Sequence, residues 1–243
     1  MQEQPTPPKH RWGMIVDVDR CIGCQACVVA CQAENNVMLN TEDTFTQLRV
    51  KEWIRIERYW VGEYPDIKAR FLPVLCQQCT NAPCEPVCPV YATSHNEEGL
   101  NMQVYNRCVG TRFCGNNCPW QVRFFTFNDP DWPDPLTNQL NPDVTVRSKG
   151  IMEKCSYCIQ RIRKAEMKAR GEGRELRDME FQTACAQACP PSALIFGDLN
   201  DPNSKVARLQ GDRRRYLLLG ELGTEPNTIY LKKVDPYPPV QQG

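Results

Sequence analysis

Fifteen cysteines fall into four groups, and their spacing leaves this chain little choice of architecture. The first group is Cys21-x2-Cys24-x2-Cys27-x3-Cys31. The second is Cys76-x2-Cys79-x4-Cys84-x3-Cys88, followed by Pro89. The third is Cys108-x5-Cys114-x3-Cys118, followed by Pro119. The last is Cys155-x2-Cys158-x26-Cys185-x3-Cys189, followed by Pro190. A disulfide framework suits small secreted domains that cannot build a core. A chain of 243 residues does not need one, and an odd cysteine count would leave one thiol unpaired. Structural zinc asks for four ligands, typically from two well-separated CxxC pairs. The only histidines are His10 and His95, and the cysteines are not isolated pairs. A zinc-stabilised interaction module therefore stands as the rival of a different class.

Iron–sulfur clusters also take four thiolates each, and here the spacing decides. The bacterial run is C-x2-C-x2-C-x3-C-P, with the fourth cysteine ligating the other cluster of a pair. The first group fits apart from Gln32 in place of proline, and the others fit with insertions. Three thiolates two residues apart can wrap one cube. The x3 step then puts the fourth a helical turn further on, so a short helix between two cubes offers a thiolate to each. A radical-enzyme CxxxCxxC motif is absent, and Gly171-Glu172-Gly173 lacks the strand context of a nucleotide loop.

The chain also repeats itself. Residues 20–27, RCIGCQAC, align without gaps on residues 107–114, RCVGTRFC. The stretches upstream, 14–18 and 102–105, alternate as short strands do. Cys88-Pro89-Val90-Tyr91-Ala92 matches Cys189-Pro190-Pro191-Ser192-Ala193. The expected fold is thus α+β and loop-rich, with two bacterial-ferredoxin-like modules of two clusters each. Module 1 spans about 10–35 plus 145–200, module 2 about 70–125, and residues 201–243 form a C-terminal extension or arm. The alignment puts Thr111 where Cys24 stands, so fifteen is sixteen ligands less one. A cube with three thiolates either lacks the iron at the unligated corner, giving [3Fe-4S], or keeps it with the Thr111 oxygen or water as ligand. The three-iron form is the expected one.

Composition removes other classes. With 29 Lys and Arg against 29 Asp and Glu the formal charge is zero, which argues against a nucleic-acid partner. No run of 18 apolar residues is present to span a bilayer. Residues 1–11 are polar and proline-rich, with no hydrophobic stretch of a signal peptide. Elsewhere the residues suggest ordinary roles. Residues 50–60 read as a half-exposed strand, with Trp53, Tyr59 and Trp60 packing rather than relaying electrons. Residues 159–185 form a charged helix broken at Gly171 and Gly173. Arg213, Arg214 and Arg215 mark a surface turn, and His10 and His95, outside every ligand slot, make polar contacts. Residues 129–142 and 237–243 are loops or partner-wrapping arms.

These motifs resemble the four-cluster iron–sulfur subunits of bacterial molybdopterin-type respiratory oxidoreductases, such as polysulfide and dimethyl sulfoxide reductases. The resemblance covers nearly the whole chain and includes residues 221–231, ELGTEPNTIYL, like that family's closing segment. Residues 30–36, 81–89 and 105–112 are more similar still to the iron–sulfur half of the large iron–sulfur protein of alternative complex III, a menaquinol oxidoreductase. A quinone reductase complex with a three-iron cluster comes close behind.

The resemblance implies a ligand scheme. Cys21, Cys24, Cys27 and Cys189 hold one [4Fe-4S] cluster, and Cys155, Cys158, Cys185 and Cys31 hold its neighbour. Cys76, Cys79, Cys84 and Cys118 hold a third. Cys108, Cys114 and Cys88 hold a [3Fe-4S] centre opposite Thr111. It further implies a non-catalytic subunit that relays electrons from menaquinol. Its implied partners are a multi-span quinol-binding membrane protein, a molybdopterin-enzyme-like large subunit or domain, and a multihaem cytochrome c. The place implied is peripheral, on the periplasmic face of the bacterial inner membrane, with export alongside a partner. The molybdopterin-like half that usually precedes this region in alternative complex III is absent from the sequence, which points to a split version of that subunit or a separate part of it.

Overall fold

A computed structural model of the chain describes residues 9–234. The chain opens with β1 (Trp12–Asp17), passes through the Cys21–Cys24 loop into α1 (Ala26–Glu34), and makes the short α2 (Glu42–Thr46). A hairpin follows, β2 (Ile54–Val61) and β3 (Lys68–Leu75), then β4 (Thr93–His95) and β5 (Asn101–Gln103). After α3 (Phe113–Asn116) come β6 (Arg123–Phe125), β7 (Met152–Lys154), α4 (Ile159–Gly171) and α5 (Ala184–Gln187). The described part closes with β8 (Leu194–Asp198), α6 (Lys205–Leu209), β9 (Arg215–Tyr216) and β10 (Thr228–Leu231). The class is α+β, with short elements and long irregular connections.

The internal repeat is visible as a path walked twice. β1, α1, β2, β3 and β4 in the first half correspond to β5, α3, β6, β7 and β8 in the second. Hairpin β2–β3 answers β6–β7, both antiparallel. The ends cross over: β4 pairs with β5, and β8 returns to pair antiparallel with β1. Each cysteine loop that follows β1 or β5 thus lies beside the Cys-Pro turn that precedes β8 or β4. Packing does not separate the halves, because Trp12, Val28, Leu100, Trp120 and Ile162 share one continuous core.

The four-stranded sheet has the order β8-β1-β10-β9. Every residue of β1 is buried, as suits a strand covered on both faces. Here the expectation of a C-terminal arm from residue 201 is corrected. β10 runs parallel to β1 in the middle of the sheet and is wholly buried, because Ile229 and Leu231 fill one face and Tyr230 the other. Residues 235–243, the rest of that expected arm, lie outside the described residues, and with them the loop or partner-wrapping tail expected at 237–243. So does most of the polar segment 1–11.

Other expectations change locally. The x3 step is a full helix only in α1, and a single turn in α3 and α5. Between Cys84 and Cys88 it is a pair of turns, because Pro83 and Pro86 lack the N–H groups a helix needs. Arg213 and Arg214 make a surface turn that leads into β9, where Arg215 pairs with Leu231, and the Arg214 guanidinium grips Asp17 at 3.0 Å. Residues 129–142 fold back on α1, where Asn141 Nδ2 donates to the Glu34 carbonyl at 2.9 Å. Trp53 is buried, whereas Tyr59 and Trp60 face outward on the hairpin.

Candidate metal centres

Two small cavities collect four cysteines each. Cys21, Cys24, Cys27 and Cys189 line one void of about 20 Å³, against Ile56 and Pro73 from the hairpin. Cys76, Cys79, Cys84 and Cys118 line another of about 20 Å³, closed by Trp120 and Arg123. Cys31, Cys155, Cys158 and Cys185 are all buried. Burial pushes the Cys31 thiol well above its ordinary value, and Cys155, Cys158 and Cys185 add to the effect. The Asn35 amide leans on this set, 3.6 Å from Cys31 Sγ and 3.8 Å from Cys158 Sγ.

The fourth set, Cys88, Cys108 and Cys114, is placed by the same backbone as the first. Val104 N–H donates to the Ala92 carbonyl at 2.7 Å, and Asp17 N–H to the Ala193 carbonyl at 2.8 Å. Both bonds lock a strand four residues before the first cysteine of its loop. Ala92 N–H donates to Cys88 Sγ at 3.2 Å, and Ala193 N–H to Cys189 Sγ, also at 3.2 Å. The loops then take the same unusual turns. Gly23 and Gly110 have φ of 72° and 74°, and Gln25 and Arg112 have φ of 61° and 64°. Side chains are hard to fit there. A Cβ on Gly23 would sit 2.5 Å from the Phe71 ring, and one on Gly110 2.2 Å from the Gly150 carbonyl. Thr111 therefore occupies the backbone slot of Cys24, and both are exposed.

The remaining pair of loops is braced by β10. Gln78 and Tyr157, each two residues past the first cysteine of its group, share positive φ of 47° and 54°. The Tyr157 hydroxyl meets Thr228 Oγ1 at 2.6 Å, and that oxygen reaches the Cys76 carbonyl at 3.2 Å. Asn227 Nδ2 donates to the Gln78 carbonyl at 2.7 Å. The closing segment thus holds the Cys76 and Cys155 loops together.

The donor set suits soft, positively charged iron. Burial, with neighbouring sulfurs, pushes Cys27 up to about 12, and burial chiefly pushes Cys84 and Cys185 up to about 11. Thiols so desolvated stay neutral near pH 7 unless iron replaces their protons. Among the described residues no three His, Cys, Asp or Glu close to the spacing of a single ion. Thiolates on the separate irons of a cube stand further apart than ligands of one zinc ion.

Two groups of residues were not legible as site residues. Lys51 Nζ and Arg147 Nε converge on buried Glu153 at 2.8 and 2.9 Å. Arg147 also donates to the Asn35 and Asn36 carbonyls at 2.6 and 2.9 Å, fixing the end of α1 behind Cys31. Arg123 projects among the cysteines of the second and third groups. Nothing in the spacing singles out these charges. The histidines make polar contacts. His95 bridges Glu85 and the Cys79 carbonyl, whereas His10 bonds Asp198 at 2.7 Å and stacks on Trp12.

Comparison with known proteins is consistent with this chemistry. The 4Fe-4S binding domain family matches residues 12–33. The chain is 44% identical to the iron–sulfur cluster-binding subunit of menaquinone reductase from Nitratidesulfovibrio vulgaris, over 93% of this chain and 90% of that one. It is 34% identical to an iron–sulfur subunit of an Hdr-like menaquinol oxidoreductase from Archaeoglobus fulgidus, over 92% and 84%. The iron–sulfur subunit of a putative dimethyl sulfoxide reductase from Halobacterium salinarum is 33% identical over 90% and 78%.

Proposed function

The chain belongs to the family of iron–sulfur subunits of menaquinone-linked and molybdopterin-type respiratory reductases, and we propose that within it the chain is a four-cluster relay between a large partner and a menaquinone site. The ligand sets are those of the four cysteine groupings above, three with four thiolates and one with three. The clusters, when bound, take up and give up single electrons. The chain's part is to hold them in order, keep water out and set their potentials.

One observation carries this reading: a buried thiol of each proposed set lies within electrostatic reach of the next, in one line of succession. The Cys185 thiol is raised first by burial and then by Cys27 of the first set. The Cys155 thiol, raised mainly by burial, is raised further by Cys185 and then by Cys76 of the third set. Arg123 lies 3.4 Å from Cys84 of the third set, and although burial works to lower its guanidinium, Cys84 and then Cys114 of the fourth set hold it above its ordinary value. No step in that line leaves the buried interior, as a relay shielded from solvent requires.

The menaquinone-reductase relative, matched over 90% of its length, favours that kind of complex over the alternative complex III assignment. The partners proposed are a multi-span quinone-binding protein, a molybdopterin-enzyme-like large subunit and a multihaem cytochrome c, at the periplasmic face of the membrane. Among the described residues no helix is long and apolar enough to cross a membrane, which suits peripheral attachment. Co-purification from solubilised membranes tests this partner set. Recovery with a molybdopterin-like domain in the same polypeptide would restore the alternative complex III reading.

The Thr111→Cys variant tests the ligand sets. The oxidised protein should show a three-iron EPR signal with about fifteen iron per chain, three cubes of four plus one of three. The variant should lose that signal, gain that of a fourth reduced cube and bind about one more iron. A three-iron signal untouched by the substitution would place that centre elsewhere. Zinc without sulfide would replace the relay with a structural module.

A further inference from the structure

Arg123 opens β6 and is only 7% exposed. Its Nη1 lies 3.4 Å from Cys84 Sγ and donates to Asn101 Oδ1 at 3.2 Å. Its Nη2 donates to Thr93 Oγ1 at 2.8 Å and to the side-chain oxygen of Gln103. On its other side Thr93, which Nη2 bonds, follows Ala92, whose N–H donates to Cys88 Sγ at 3.2 Å. The oxygen acceptors are a hydroxyl and two amides, all neutral. A buried guanidinium with only neutral oxygens around it is costly, so its counter-charge has to come from sulfur. One more donor points the same way: Arg123 Nε–H is buried and has no partner among the described residues.

In the first pair the buried cation, Lys154, bonds main chain and not sulfur: its Nζ donates to the Cys155 carbonyl at 2.9 Å. The side chain leaning on Cys31 and Cys158 is the neutral amide of Asn35. The two halves of the repeat therefore differ in the group that meets sulfur, a guanidinium at Cys84 and an amide at Cys31 and Cys158. Net charge, hydrogen bonds to sulfur and burial are the levers a protein has on an iron–sulfur potential. A fixed positive charge in a low-dielectric interior favours the state with one more electron.

We propose that Arg123 is a positioning residue shared by the third and fourth cysteine sets, raising the reduction potential of both bound clusters and drawing electrons toward the Thr111 end. The inference rests on the ligand sets proposed above. Reduction adds one electron and no proton to a site. The guanidinium stays protonated and stabilises the added charge through its N–H groups. Cys84, which it meets directly, and Cys88, which it approaches through Thr93, belong to different sets, so one side chain acts on two neighbouring centres.

EPR-monitored redox titration of the full cluster-loaded chain tests this with Arg123→Gln, Arg123→Lys and Gln103→Glu. In Arg123→Gln the two centres of the second pair should each become at least tenfold harder to reduce, about 59 mV for one electron. The first pair should move less than threefold. Arg123→Lys keeps the charge and should recover part of the shift. Gln103→Glu sets a carboxylate on the guanidinium and should move the same two centres in the same direction. It also decides the matter if Arg123→Gln fails to load. Equal movement of all four centres, or of none, overturns the role of Arg123. Absence of the three-iron signal from the unmutated chain overturns the ligand sets, and this inference with them. A signal that is present but stationary in the variants overturns the inference alone.

Discussion

Stripped of iron under anaerobic chelation, the chain should lose cooperative thermal unfolding altogether. The core explains why. Cys27, Cys31, Cys76, Cys79, Cys84, Cys114, Cys118, Cys155 and Cys185 lie inside the same buried cluster as Trp12 and Ile162. Several strands are only three residues long, too short to hold a sheet by themselves. Iron bridging the Cys21 loop to Cys189, or Cys31 to Cys155, would cross-link segments more than a hundred residues apart. Closing such loops through metal restricts the unfolded chain as a disulfide does, by about 4 kcal/mol or more for each long loop. That sum rivals the roughly 5–15 kcal/mol net stability of an ordinary domain.

The same argument fixes a pH dependence. Burial raises the thiols of Cys21, Cys27, Cys84 and Cys118, so each must shed a proton when iron binds. Cluster reconstitution should release protons and grow more favourable from pH 7 to pH 9, while acid promotes loss. Calorimetry of the metal-free chain checks the first claim: a sharp, reversible transition near that of the loaded protein would refute it. Reconstitution in buffers of different ionisation heat checks the second.

Glu153→Gln should destabilise the loaded protein by about 3–5 kcal/mol, because it leaves Lys51 and Arg147 buried without a counter-charge. For a chain of this size that corresponds to a fall in Tm of roughly 6–20 °C. Desolvation works to raise the Glu153 carboxyl, but Arg147 and Lys51, with hydrogen bonds from Lys51 and Thr126, hold it below its ordinary value. A depressed carboxylate stabilises the fold above its unfolded value, near 4.5, and loses that contribution as pH falls through its folded value. The gap between wild type and Glu153→Gln should therefore close below about pH 4.5. Arg147 also holds the Asn35 and Asn36 carbonyls, so the variant should loosen the α1 end behind Cys31 as well. A midpoint within 0.5 kcal/mol of wild type at pH 7 would mean the triad is dispensable.

Much of the site was legible because thiolate spacing is a local property. Three cysteines two residues apart can form one loop, and the repeat of residues 20–27 at 107–114 carries the same glycine turn into both halves. The strands before each loop and the charged helix α4 follow from period and breakers alone. β10 was not legible. Its apolar run resembles any edge strand or tail, and only the sheet shows that it lies between β1 and β9, bracing two cysteine loops through Asn227 and Thr228. Nor did the prolines after Cys79 announce that the second x3 step would bend as turns.

By itself, then, the sequence determined the chemistry: cysteine-rich loops in a doubled pattern, with one slot filled by threonine. Ligand type and local turn geometry are written within a few residues of each other. The tertiary structure alone decided how distant segments meet. It gathered nine cysteines, from Cys27 to Cys185, into one buried interior, joined Glu153 to Lys51 and Arg147, and set a guanidinium 3.4 Å from Cys84. A charge acts through space in a low-dielectric core, so its partners depend on where the chain returns, which no local spacing encodes.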